Sequence, residues 1–228
     1  MQPLIALRAI TRLVKNPNET REVFTIIRAL SGSDLEKGLK RFQATELGKT
    51  VLQDRRQLTS VLKDRNMLAP LPPSSFGRAY LEFITDEGLS ADGLVEASED
   101  EKKEPFGDPD LMLFAARQRD MHDLWHVLTQ YGRDELGEAC LLGFTYAQNR
   151  NRGVGFIALV GCLKLHGKYG FNATRAIFRA FRDGRRAAWL PAQDWELLLL
   201  QPLDSVRKVL GIEVPKIYQN ALPASSLA

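Results

Sequence analysis

The chain has 228 residues, 44% of them hydrophobic and 26% charged, with a net charge of +3. That is the make-up of a folding chain with enough apolar material for a sizeable core, and it excludes a disordered or collagen-like protein. The weakly basic balance, with no recognised nucleic-acid motif, argues against nucleic acid and suits an anionic substrate or an anionic membrane surface.

The opening MQPLIALRAITRLVKNP carries Arg8, Arg12 and Lys15 and no acid before Glu19. In composition it resembles a mitochondrial transit peptide. Leu4, Leu7, Ile10, Leu13 and Val14 nevertheless form one helical stripe, and a first helix of the fold is the preferred reading. NPN (16–18) stops that helix, and Asn18 caps a second that runs to SGS (31–33). SDLE (33–36) is a capping box for a third, with Leu35, Leu39 and Phe42 inward. A longer helix is expected from Thr45 to about Arg65. APLPPSS (69–75) is an extended connector, and Ser74 or Ser75 caps the short helix FGRAYLEFIT.

The charged, breaker-rich EASEDEKKEPFGDPD (96–110) reads as a flexible acidic loop over about 96–108. Asp108 and Pro109 then start a helix that passes through Leu111 and Phe114. YGRDE (131–135) ends it and Asp134 restarts the next. NRNRG (149–153) is a turn before VGFIALVGCLKL, whose apolar run is too short to span a bilayer. Asn172 caps a basic helix ending in RDGRR. DWELLLLQPLDSVRKVLGI (194–212) gives two short helices split by Pro202. No repeat and no period-two strand pattern is present. The reading is all-α, a single compact multi-helix domain over residues 1–228. Cys140 and Cys162 sit in apolar contexts and are expected as buried free thiols.

One stretch carries chemistry: MHDLWHVLTQYGRDELGE (121–138). His122 and His126 stand at i and i+4, so two imidazoles share a helix face and can reach one ion. Asp123 is rotated by about 100°. It is a ligand at the edge of that face, an orienting partner for a ring, or a base. Glu138 follows a turn at Gly132, and a helix hairpin would bring it back toward the histidines. Two imidazoles with one or two carboxylates suit Zn, Fe(II), Mn or Co. The competing reading is an amphipathic helix that happens to carry two histidines.

HDLWH, eleven residues and then Glu138 resembles the H-D-x-x-H…E motif of the coenzyme Q (ubiquinone) biosynthesis protein four family. LPPSSFGRAYLEFI is similar to the family's P-x-x-S-x-G-x-x-Y-x-x-F segment, at Pro72, Ser75, Gly77, Tyr80 and Phe83. DWELLLLQPLDSVRKVLGI resembles its W-E-x-L-L-x-x-P-L-x-x-V-R-x-x-L-G-I ending. These landmarks run from about residue 35 to 212; Phe76 departs from the leucine of many relatives.

The resemblance implies an all-helical protein of ubiquinone biosynthesis. It implies metal ligands at His122, Asp123, His126 and Glu138, with zinc the metal commonly considered and Fe(II), Co or Mn compatible. It implies oxidative decarboxylation at ring carbon 1 of a polyprenylated precursor, with a hydroxyl replacing the carboxyl, and Asp123 as a candidate base. Zinc cannot supply electrons, so a redox-active metal or the phenol itself would have to reduce dioxygen. The implied partners are the polyprenylated quinone precursor, other ubiquinone-biosynthesis proteins and a membrane surface bound peripherally, with a homodimer compatible. The expected location is the inner face of a bacterial cytoplasmic membrane, with the matrix side of the mitochondrial inner membrane as the alternative.

The basic helix places Arg175, Arg179, Arg182 and Arg186 along one side, as a solvated face or a lipid contact. VGFIALVGCLKL and ELLLL are the candidate walls for an isoprenoid tail. Two other classes remain: a non-catalytic scaffold or lipid carrier, and a His-Asp metal phosphohydrolase. The latter is disfavoured because the one further histidine, His166, has no acid beside it.

Overall fold

Capping residues and chain breakers set where the helices begin and end. The structure is a computed structural model that describes residues 5, 8–12, 20–88 and 107–222, and among these it is helical with no strand. In chain order the helices are α1 (Thr20–Ser31), α2 (Asp34–Gln43), α3 (Glu46–Gln53), α4 (Leu58–Leu62), α5 (Arg65–Leu68), α6 (Phe76–Asp86) and α7 (Pro109–Thr129). They continue with α8 (Glu135–Asn149), α9 (Arg152–Tyr169), α10 (Phe171–Arg186), a 3-10 turn (Leu190–Ala192), α11 (Trp195–Leu198), α12 (Leu203–Leu210) and α13 (Lys216–Gln219). The all-α expectation holds. Residues 8–12 are helical. Leu4, Leu7, Leu13 and Val14, the 16–18 stop and positions 96–106 of the acidic segment lie outside the described residues.

The chain divides into two compact units. One comprises Met1–Leu35, Gln130–Ala187 and Val214–Ala228; the other comprises Glu36–Thr129 and Ala188–Glu213.

The first unit is built on α8, α9 and α10. Small residues let α8 and α10 approach closely. A Cβ on Gly184 would meet the Phe144 carbonyl oxygen at 2.7 Å, and one on Gly143 would meet the Ile177 carbonyl oxygen at 3.1 Å. Ala173, Ala176 and Ala180 line the buried face of α10. Gln148 donates to the Gly184 carbonyl at 2.6 Å, which settles a buried amide between the same helices. Asn151 caps α9 through the Val154 amide. Arg152 grips Asp34 with its backbone and side chain, tying the head of α9 to the residue at the start of α2. VGFIALVGCLKL is helical, and α10 begins at Phe171 after Gly170 (φ +65°) rather than at Asn172. Cys140 and Cys162 are buried free thiols, and burial pushes the Cys140 thiol up.

The second unit packs around α7. Phe42 meets Phe114 at 5.2 Å between ring centroids, and Phe76 meets Trp195 edge-on at 6.2 Å. The LPPSSFG and LLLLQPL segments are joined backbone to backbone. The Phe76 amide donates to Gln201 and the Gly77 amide to Leu199, both at 2.8 Å, and the Leu203 amide donates to Ser74 at 2.9 Å. Ser75 caps α6. The single helix expected from Thr45 to about Arg65 is instead α3, α4 and the start of α5. Arg55 takes φ +52°, which no helix accommodates, and Asp64 starts a fresh turn by accepting from the Met67 amide.

Candidate metal centre

The site begins with an apolar stripe. Phe114, Arg117, Met121, Leu124 and Leu128 recur at spacings of three and four along α7, and all are buried. An arginine in such a stripe needs an acceptor, and the half-buried Glu196 supplies it. The Arg117 guanidinium, 1% exposed, donates to both Glu196 oxygens at 2.8 Å. Arg56 stands 3.3 Å from the same carboxylate. Burial works to raise the Glu196 carboxyl, but the Arg117 hydrogen bonds and charge outweigh it, and the carboxyl is held below its ordinary value.

Two further contacts from the C-terminal segment fix α7. The Trp195 indole N–H donates to the Met121 sulfur at 2.6 Å. Arg207 donates through Nε to the Leu128 carbonyl at 3.0 Å and through Nη2 to the Val127 carbonyl at 2.9 Å. Those carbonyls end the helix and have no intrahelical amide to accept from, so Arg207 is its C-terminal cap.

This clamp sets the histidine face. His122 and His126 lie with ring centroids 4.8 Å apart in an edge-on arrangement. His126 is 1% exposed and its ring stacks on Phe83 of α6 at 5.8 Å. His122 is 40% exposed. The Asp123 carboxylate stands 3.2 Å from His122 Nδ1, an arrangement that fixes the ring and leaves Nε2 as the donor for an ion. Tyr80, the motif tyrosine, is buried. Burial first, then the charges of Asp123 and Asp120, push its phenol up, so it stays protonated beside them.

Glu138 belongs to the other unit, in the first turn of α8. Asp134 is the N-cap of that helix, accepting from the Leu136 and Gly137 amides at 3.0 Å. Arg133 stands 3.9 Å from the Glu138 carboxylate. His122 and His126 offer two imidazole nitrogens from one face of α7, and Glu138 is a carboxylate on the first turn of α8. Two imidazoles one turn apart, with one ring oriented by a carboxylate, suit a divalent transition metal. Asp123, the fourth residue of the expected ligand set, lies against His122 Nδ1.

Along the first half of α7 runs a cavity of about 560 Å³. Leu58, Pro109, Met112, Leu113 and Ala116 give it apolar walls, and it reaches Arg119 and Asp120, one turn before His122 and Asp123. Neither 154–165 nor 196–200, the walls expected for a tail, contributes to it. Of the four arginines expected on the basic helix, Arg175, Arg182 and Arg186 are exposed, whereas Arg179 is half-buried and pairs with Asp183 at 2.8 Å.

The family model described as Coenzyme Q (ubiquinone) biosynthesis protein Coq4 matches residues 2–216. A protein of Podospora anserina named Ubiquinone biosynthesis protein COQ4, mitochondrial, is 30% identical over 175 residues, covering 74% of this chain and 54% of that one. The protein of the same name from Mycosarcoma maydis is 29% identical over 153 residues, covering 67% and 40%. This chain therefore spans about half the length of such relatives. A crystal structure of a Nostoc punctiforme PCC 73102 protein, assigned to ubiquinone biosynthesis, shares the fold. It has a TM-score of 0.63 at 20% identity and covers 91% of this chain and 96% of that chain.

The clamp gives a measurable expectation. Arg117→Met leaves the Glu196 carboxylate without its main partner and should cost about 3 kcal/mol or more, whereas Arg117→Met with Glu196→Met should recover most of the loss. Because the folded carboxyl titrates below its usual 4.5, the wild-type advantage should be full above that pH. It should fade as acid takes the group through its lowered folded value. Urea unfolding of the three proteins from neutral pH into the acid range checks both points.

Proposed function

This chain belongs to the Coq4 family of coenzyme Q (ubiquinone) biosynthesis proteins, and on that premise we propose that it carries out a metal-dependent oxidative decarboxylation in that synthesis. The substrate is a polyprenylated hydroxybenzoate-type precursor, and a hydroxyl replaces the carboxyl at ring carbon 1. The observation that carries the reading is the imidazole pair on α7: two rings one turn apart, one oriented by a carboxylate and the other packed beneath an aromatic ring.

By the family motif, His122, His126 and Glu138 would hold the metal, zinc by first choice, with Fe(II), Co or Mn also matching these residue types. When bound, the metal supplies a Lewis acid for the substrate carboxylate. Asp123 holds the His122 tautomer with Nε2 outward. Phe83 fixes the plane of His126. Tyr80, kept protonated, adds no second negative charge beside Asp123. The apolar cavity along α7 takes part of the isoprenoid tail, with the ring toward the Arg119–Asp120 end. The transformation releases carbon dioxide, takes the oxygen of the new hydroxyl from water and passes two electrons and two protons from the substrate to dioxygen, which leaves as hydrogen peroxide.

Glu138→Gln keeps the size of the side chain and removes its charge. Turnover of a polyprenylated hydroxybenzoate by the full chain, followed by mass spectrometry of the product, should fall at least about 100-fold, beyond the range seen for outer-shell residues. Unchanged product formation would instead favour a scaffold role among other ubiquinone-biosynthesis proteins.

We infer that the reaction takes place at an anionic membrane surface, the cytoplasmic face in a bacterium or the matrix face in a mitochondrion. No described helix is long and apolar enough to cross a membrane. Support comes from α10, where Phe171, Arg175, Phe178, Arg182 and Arg185 are exposed at spacings of three and four. Phe171 and Phe178 are 71% and 61% exposed, and Leu159 and Leu163 of α9 are exposed as well. Bulky apolar tips interleaved with arginines suit a headgroup region. Arg175→Gln with Arg182→Gln should weaken binding to vesicles containing anionic lipid by about 30-fold, at about 1 kcal/mol per charge. Wild-type binding should decline with salt; salt-independent binding would contradict this face.

A further inference from the structure

The turn that leads into α8 is held by a residue far along the chain. Tyr218 of α13 is buried, and its hydroxyl donates to the Asp134 carboxylate. The same oxygen accepts the Gly132 amide at 3.0 Å. The other Asp134 oxygen is the N-cap acceptor for Leu136 and Gly137, and the Asp134 carbonyl accepts the Glu138 amide at 2.9 Å. The Tyr218 ring stands edge-on against Tyr131 at 5.4 Å.

Close packing leaves this turn little slack. A Cβ on Gly137 would lie 2.1 Å from the Gly132 carbonyl oxygen, and one on Gly132 would lie 2.8 Å from the Tyr218 hydroxyl. One phenol thus ties the amide that enters the turn to the carboxylate that starts the helix, and Glu138 lies in the first turn after that carboxylate.

We propose that Tyr218 is the positioning residue for Glu138, its hydroxyl fixing the Gly132–Asp134 turn that sets where the carboxylate stands. The inference rests on Glu138 being a metal ligand, as read above. A ligand on a first helical turn moves with its cap, so a cap free to shift presents the carboxylate at a spread of positions and weakens the ion's hold. Tyr218 touches neither substrate nor metal in this scheme. It acts through Asp134.

Tyr218→Phe tests this, because it keeps the ring against Tyr131 and removes only the hydroxyl. The full chain is titrated with Co(II) and Zn(II) alone, at a temperature where circular dichroism shows every variant fully folded, so that global stability does not enter. Tyr218→Phe should lose about 10-fold in affinity, with an altered Co(II) absorption spectrum. Asp134→Asn, which keeps a cap acceptor but loses the carboxylate facing the phenol, should do the same. Amide exchange over residues 132–138 should rise in the metal-free Tyr218→Phe chain. Wild-type affinity and spectrum in Tyr218→Phe, with Glu138→Gln weakened, would overturn this inference alone. Unchanged exchange across the turn would overturn it whatever the metal does. Undiminished affinity in Glu138→Gln would overturn the ligand reading together with this one.

Discussion

One buried ion pair underlies the histidine face. Arg117 occupies a core position of α7, where an unpaired guanidinium would be prohibitive, and Glu196 meets it with two hydrogen bonds. Such a pair adds little net stability over an apolar filling of the same volume. What it supplies is position. A bidentate contact fixes rotation as well as distance, and α7 cannot turn about its axis without breaking it. Trp195 on Met121 and Arg207 on the last carbonyls add two further points along the helix. The histidines lie between the Arg117 and Arg207 contacts.

The C-terminal segment therefore serves the site without contributing a ligand. Asp194, Trp195, Glu196 and Arg207 all make side-chain contacts within its own unit, and three of those contacts reach α7. Around the rings the same economy holds. Phe83 and Tyr80 come from one helix: the first packs on His126, and the second remains neutral near Asp123. A buried imidazole facing an aromatic ring and an exposed imidazole facing a carboxylate are unequal donors, and the pair offers an ion one sheltered and one accessible nitrogen.

Local features were legible in the sequence. Asp108 and Pro109, and Asp134, marked helix starts because capping depends on a few neighbouring residues, and α7 and α8 begin where those residues stand. The i, i+4 histidines were legible because helical spacing alone puts them on one face. Arg117 with Glu196, Arg207 with Val127 and Tyr218 with Asp134 join residues 79, 80 and 84 positions apart, and no periodicity encodes such pairs. A charged residue inside an apolar stripe was the one available sign of the first. The break at Arg55 was hidden for a different reason: its left-handed backbone is imposed by surroundings and not by the residue's own preference. Arg179 was placed with its neighbours by spacing, yet the local acid Asp183 claims it.

Metal content bears most directly on all of this. The full chain, purified without chelator, and the His122→Ala with His126→Ala variant would be analysed by inductively coupled plasma mass spectrometry. Close to one equivalent of a transition metal per chain in the wild type, absent from a variant that keeps its helical circular dichroism, is the expected result. A metal-free wild type that also takes up none of Zn(II), Co(II), Mn(II) or Fe(II) would contradict the metal centre and leave α7 as a structural helix alone.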